Sequence, residues 1–346
     1  MEPEILFSRE GGLAKVVLNR PAALNALTLE MSHALEGRLR EWAQDTTIAA
    51  VLIRGAGGKA FCAGGDIRRL AESARGGDDY PYRFWADEYR LNALIKHLAK
   101  PYVALIDGIV MGGGVGLSVH GTYRVATEHA LFAMPETGIG FFPDVGASYF
   151  LPRCPGRIGL YLGLTGARLK AADMIHAGLA THFVRREKLG ALEAALAAAP
   201  AEIGIVLARF AEDPGLSPLA AEQPEIDSMF SRPSLEAVLA ALEASPGEFA
   251  RRARETLAAK SPTSLALAFR EISAGGALGF DDCLRLEWRI ASRVPRHLPD
   301  FLEGVRAVIV DKDNRPRWSP PRIAEVDPAA IEAFFAPAEG GELPLY

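Results

Sequence analysis

Along the first 190 positions apolar residues fall into short runs parted by polar and glycine-bearing stretches, and two runs are apolar on both faces: Ile48-Ala49-Ala50-Val51-Leu52-Ile53 and Val103-Ala104-Leu105-Ile106. A strand open to water on one face alternates, whereas a strand covered on both faces reads as continuously apolar. The pattern predicts buried strands at 49–54 and 102–107 and further strands at 14–19 and 123–126; a short buried helix shares the same pattern over so few residues. Between the first strands the period changes. Met31, Leu35, Leu39 and Trp42 recur at helical spacing behind Thr28, whose hydroxyl suits an N-cap, which predicts a helix over 27–42. Another helix is expected at 84–98.

Past residue 190 the strand pattern ceases. Ala- and Leu-rich stretches at 188–199, 234–242, 246–260 and 264–274 predict helices, and 212–233, with Pro214, Pro218, Pro224 and Pro233, is expected to be a surface loop or linker. The expected organisation is an α/β core over 1–195 with helices covering a sheet, followed by a helical extension over 196–346 acting as a lid or an assembly element.

Composition narrows the function classes. The 346 residues are 49% hydrophobic and 23% charged, which is globular and not disordered. A formal charge of −5 argues against a basic surface for nucleic acid. Residues 1–190 carry +3 and residues 191–346 carry −8, so an anionic ligand belongs with the first part. Cys62, Cys154 and Cys283 are scattered, cannot all pair, and suit a reducing compartment. An acidic start without a basic, then apolar, leader gives the expectation of a cytoplasmic protein, and no stretch is apolar enough for a membrane span.

Two glycine turns carry the chemistry. Asp107-Gly108-Ile109-Val110-Met111-Gly112-Gly113-Gly114-Val115-Gly116 follows a buried strand and opens a helix, so backbone N–H groups can face a ligand with no Cβ in the way. Lys59-Ala60-Phe61-Cys62-Ala63-Gly64-Gly65-Asp66-Ile67 is a second such turn. Either alone is also what tight packing between a strand and a helix requires. Together they suggest two sets of donors converging on one oxygen, as in an oxyanion hole for acyl chemistry. The dinucleotide and phosphate-loop spacings both fail. Ser118 misses the nucleophile-elbow pattern and falls within the expected helix, where packing is its simpler role, as it is for Cys62 and His120. No histidine spacing suggests a metal site, and no metal or redox cofactor is expected.

In order along the chain, Leu18-Asn19-Arg20-Pro21, the Lys59–Ile67 turn, Asp107–Leu117, Phe132-Ala133-Met134-Pro135-Glu136 with Phe141-Phe142-Pro143-Asp144-Val145-Gly146, and Glu303-Gly304-Val305-Arg306 resemble the crotonase (enoyl-CoA hydratase/isomerase) superfamily over nearly the whole chain. The resemblance implies a spiral of ββα units followed by C-terminal helices. It also implies an oxyanion hole from the N–H groups of Gly65 and Gly113, and coenzyme A, as part of the substrate, beside Lys59, Ala63, Gly64, Gly65, Asp66 and Ile67. Its acyl-CoA hydrolase branch implies Glu136 and Asp144 as catalytic acids, with Glu88, Gly113, Glu136 and Asp144 contacting substrate. Hydratases of the family carry a second glutamate where this chain has Gly116, so two-carboxylate hydration looks disabled here.

The expectation is therefore hydrolysis of a short 3-hydroxyacyl-CoA thioester, 3-hydroxyisobutyryl-CoA foremost, as in valine catabolism. The alternatives are hydration or dienoyl isomerisation, which share an acidic pair at this spacing, and a non-catalytic binding protein of the same fold, which the net charge and the intact acidic pair disfavour. The partners expected are an acyl-CoA and, through the C-terminal helices, other copies in a trimer or hexamer, with neither nucleic acid nor membrane.

Overall fold

A computed structural model describes residues 2–345. Nine strands occur among the described residues: β1 Ile5–Glu10, β2 Leu13–Leu18, β3 Ala50–Gly55, β4 Ala60–Cys62, β5 Tyr102–Ile106, β6 Ile109–Met111, β7 Tyr123–Ala126, β8 Leu131–Ala133 and β9 His182–Phe183. One sheet runs β1-β2-β3-β5-β7-β9 and a smaller one β4-β6-β8. In the larger sheet only the β1/β2 hairpin is antiparallel; β2, β3, β5, β7 and β9 pair in parallel. Parallel neighbours need crossovers, which the helices supply. The helix after β2 spans Leu29–Gln44, and its first turn is closed by the Thr28 hydroxyl accepting from Met31 N–H, as the cap residue predicts.

By its contacts the chain divides into two compact units, each assembled from separate stretches. One holds the chain up to Gly65, Arg90–Phe132 and Arg168–Leu219; the other holds Asp66–Tyr89, Ala133–Ala167 and the chain from Ala220 on. In the first unit Leu13, Leu52, Val103, Leu105 and Val125 form an apolar face of the larger sheet, and Leu192, Leu196, Ile203, Val206 and Leu207 from the helices Leu189–Ala198 and Ile203–Phe210 pack into the same cluster. The expected division at 195/196 thus falls inside a helix whose apolar side chains belong with the sheet. The units are interleaved along the sequence instead of consecutive.

The helices expected at 234–242, 246–260 and 264–274 are present as Leu235–Ala244, Glu248–Ala258 and Pro262–Gly275. The proline-bearing segment departs from expectation. Pro218–Phe230 is helical with Pro224 inside it, because Leu219, Ile226 and Phe230 recur at helical spacing and are buried. Burying that stripe outweighs the cost of an internal proline.

Candidate active site

The smaller sheet explains why two glycine turns far apart in sequence meet. β4 and β6 are parallel, with Ala60 beside Ile109 and Cys62 beside Val110, so the turns that follow them leave from the same end of the sheet. The approach is close enough to demand glycine. A Cβ on Gly114 would lie 2.1 Å from the Cys62 carbonyl oxygen, and Gly64 needs glycine for its backbone, at φ 111°. The 20–27 loop closes over the first turn: Leu27 N–H donates to Gly64 O at 2.8 Å and Ala63 N–H to Leu24 O at 3.1 Å. Buried Asn25 holds that loop, its amide donating to Ala56 O and Ala60 O and its carbonyl accepting from Arg20 N–H, all at 2.9 Å.

Of the residues expected at the CoA side, Lys59 is exposed, Ala63, Asp66 and Ile67 are half-buried and Gly64 is buried. Gly65 is half-buried and Gly113, the first residue of the helix Gly113–Val119, is buried. Ser118 lies inside that helix and donates to the Gly114 and Val115 carbonyls, which accounts for it as a packing residue.

The other unit gathers the acids. Glu136 opens a single 3-10 turn, Glu136–Ile139, whose shape is set by Gly140 at φ 70°; a Cβ there would meet the Asp300 carbonyl oxygen at 2.0 Å. Asp144 follows Pro143 in a tight turn, and Glu88 and Tyr89 project from the helix Tyr80–His97. Tyr89 donates its hydroxyl to Asp144 Oδ2 at 2.9 Å. Glu88, Glu136 and Asp144 are all buried, and neither Glu88 Oε1 nor Glu136 Oε2 has a hydrogen-bond partner among the described residues.

Burial disfavours the charged forms of all three, and they repel one another. Burial, then the charges of Asp144 and Glu136, push Glu88 well above the carboxylate range. Burial and Asp144 raise Glu136, against the pull of its own backbone and the Lys260 ammonium. Burial pushes Asp144 up to about 7 although the Tyr89 hydroxyl favours its charged form. Asp144 thus gives up its proton near neutrality, with Glu88 and Glu136 shifted in the same direction, and a group poised there can accept a proton as a carboxylate or donate one as a carboxylic acid.

Two further acids were missed by sequence reasoning. Glu271 and Glu287 are fully buried, Glu271 without a hydrogen-bond partner for either oxygen among the described residues. Burial and then Glu287, Asp144 and Glu136 raise Glu271; burial pushes Glu287 up to about 8. A signal existed: each sits on the buried stripe of its helix, Glu271 with Leu267, Ala268, Ile272 and Gly275, and Glu287 with Phe280, Cys283, Leu284, Ile290 and Ala291. An acid on an apolar stripe is costly to bury.

A family model described as enoyl-CoA hydratase/isomerase matches residues 13–335. The chain is 46% identical to 3-hydroxyisobutyryl-CoA hydrolase, mitochondrial, of Danio rerio, over 99% of this chain and 92% of the relative. Its identity to the Homo sapiens protein of the same name is 43%, over 96% and 88%. Among solved structures, a carnitinyl-CoA dehydratase from Mycobacterium thermoresistibile superposes with a TM-score of 0.94 at 41% identity over 99% of both chains. An enoyl-CoA hydratase from Rhodobacter sphaeroides gives 0.92 at 39% over 99% and 100%. These matches correct one expectation: a cytoplasmic location, read from the opening residues, does not stand against hydrolases that are named mitochondrial. No helix among the described residues is long and apolar enough to cross a membrane.

Proposed function

The chain belongs to the enoyl-CoA hydratase/isomerase (crotonase) family, and from that membership we propose that it hydrolyses short 3-hydroxyacyl-CoA thioesters, 3-hydroxyisobutyryl-CoA first among them. On the molecule the reading is carried by one observation: Asp144 lies buried within electrostatic reach of Glu136. The relatives named 3-hydroxyisobutyryl-CoA hydrolase support the same reading. It places the enzyme in valine catabolism.

Roles are assigned residue by residue. The N–H groups of Gly65 and Gly113 take the negative charge that develops on the thioester oxygen, a contribution of about 3–4 kcal/mol for each donor in comparable oxyanion holes. Coenzyme A lies along Lys59, Ala63, Gly64, Asp66 and Ile67. Glu136, unprotonated, takes a proton from water as the water oxygen bonds to the carbonyl carbon, or attacks that carbon itself to give a mixed anhydride that water then opens. The carbon–sulfur bond breaks, and the departing sulfur takes a proton from the carboxyl set. Asp144 holds the 3-hydroxyl or passes that proton, and Glu88 orients the acyl group. The C-terminal helices serve as a lid or join copies into a trimer or hexamer, which light scattering of the purified protein distinguishes.

Thiol release is the test. 3-Hydroxyisobutyryl-CoA and 3-hydroxypropionyl-CoA are expected to yield free thiol, with crotonyl-CoA and acetyl-CoA slower. The two superposing structures, a dehydratase and a hydratase, favour a second reading, addition or loss of water at carbon. Hydration of crotonyl-CoA with its thioester left intact, and no thiol from either hydroxyacyl substrate, would establish that reading in place of hydrolysis.

A further inference from the structure

We propose that Glu287 is a positioning residue for Asp144, clamping the turn that aims it; the proposal rests on the hydrolase reading above. Glu287 Oε2 accepts from Gly146 N–H at 2.7 Å, and Oε1 accepts from Ser148 N–H at 2.9 Å and from the Ser148 hydroxyl at 2.5 Å. These donors sit two and four residues after Asp144. Next to Asp144 the backbone is strained at Val145, with φ 55°, and Gly146 follows at φ 86°, which glycine adopts freely. A β-branched residue in the left-handed region is an outlier that persists only where its surroundings over-determine it. Tyr89 fixes the carboxyl end of Asp144, and Glu287 fixes the turn behind it.

Stability alone does not account for Glu287. It occupies a place on the apolar stripe of Phe280–Ala291, where the charge of Asp144 disfavours its ionised form and it in turn disfavours that of Glu271. A buried carboxyl among acids is costly, and an apolar residue of similar volume would pack there at less cost. What such a residue cannot do is accept three hydrogen bonds from one turn. Glu271 is a natural contrast. It is equally buried and feels the same acids, yet it holds no part of the turn.

The contrast makes the test. Glu287→Gln keeps the volume but turns one acceptor oxygen into a donor facing an N–H; Ser148→Ala removes one of the three bonds; Glu271→Gln removes a nearby acid without removing a bond. With 3-hydroxyisobutyryl-CoA, Glu287→Gln is expected to lower kcat about 10- to 100-fold, the scale of a buried donor left without its acceptor, with KM changed by less than about three-fold. Ser148→Ala shifts kcat in the same direction by a smaller factor. Glu271→Gln leaves kcat within about two-fold of the parent, since no bond to the turn is lost. Both glutamine variants remove a buried acid, yet kcat falls only in Glu287→Gln, where the bonds to the turn are lost. Amide exchange over 143–150 quickens in Glu287→Gln and Ser148→Ala, and this readout needs no substrate.

A folded Glu287→Gln with parental kcat and parental exchange overturns the proposal, as does an equal loss of kcat in Glu271→Gln. Should Glu287→Gln fail to fold, Ser148→Ala decides on the same two measurements. Should the parent release no thiol, the hydrolase reading falls, and the exchange rates alone then decide whether Glu287 holds the turn.

Discussion

The two units have different interiors. The cluster of the first is hydrocarbon from strand to helix, Leu13, Leu52, Val103 and Leu105 against Leu192, Leu196 and Leu207. The interior of the second also holds aromatic rings, Trp85 stacked on Phe141 at 5.2 Å and Phe301 tilted against Phe141 at 5.5 Å, but it carries Glu88, Glu136, Asp144, Glu271 and Glu287 as well. One interior is suited to folding alone. The other accepts a standing electrostatic cost, and a carboxyl whose proton affinity is raised, as that of Asp144 is to about 7, is what acid–base chemistry needs.

Glu136→Gln probes the sharpest form of this difference. It is expected to cut kcat/KM for thiol release about 1,000-fold, or about 4 kcal/mol, while the folded state is retained. A full rate in the variant would make the buried acid structural. Raising the pH acts on all the buried acids and comes next. Between its unfolded and its folded value each raised carboxyl keeps its proton in the folded protein and loses it in the unfolded chain. Their contribution to stability is therefore complete below the unfolded values near 4 and is lost as the pH climbs through the folded values, about 7 for Asp144 and about 8 for Glu287. Thermal unfolding should show a lower Tm at pH 8.5 than at pH 5.5, each taken as an approximate bracket of that window. A Tm rising over that interval would refute the displaced proton affinities.

In the first unit Leu196→Ala should cost about 3 kcal/mol of stability by leaving a cavity, by the same amount at both ends of that pH window and with kcat unaltered; chemical denaturation checks it. A pH-dependent loss would blur the distinction between the interiors. Asp144→Asn is expected to be slightly milder, about 100-fold in kcat, and its Tm should depend less on pH than the parent's.

What could be read beforehand follows from length and period. β3 and β5 were legible because several consecutive apolar residues are covered on both faces, and Leu29–Gln44 because four turns repeat one stripe behind a capping Thr28. β4, β6 and β8 have three residues each, too few for a period to show. The glycine turns were legible as local sequence, and Glu136, Asp144 and Glu88 through family resemblance. Their shared burial was not, since it depends on chain brought from the helix Phe280–Ala291 and from Pro262–Gly275. Glu271 and Glu287 sit in stripes otherwise apolar, and reading each helix for its hydrophobic face alone passes over the one position that breaks it.

The bond from Gly146 to Glu287 spans 141 residues of sequence. At the usual pace of about 5–20 residues per second, a ribosome that has finished the Asp144 turn needs roughly 7–28 s more before the carboxyl that grips it has been polymerised. During that interval the nascent chain has Glu136 and Asp144 but not the anchor. The turn behind Asp144 is thus gripped only late in the life of each molecule, and a ribosome stalled before residue 287 would display both acids on a chain that lacks the carboxyl holding that turn.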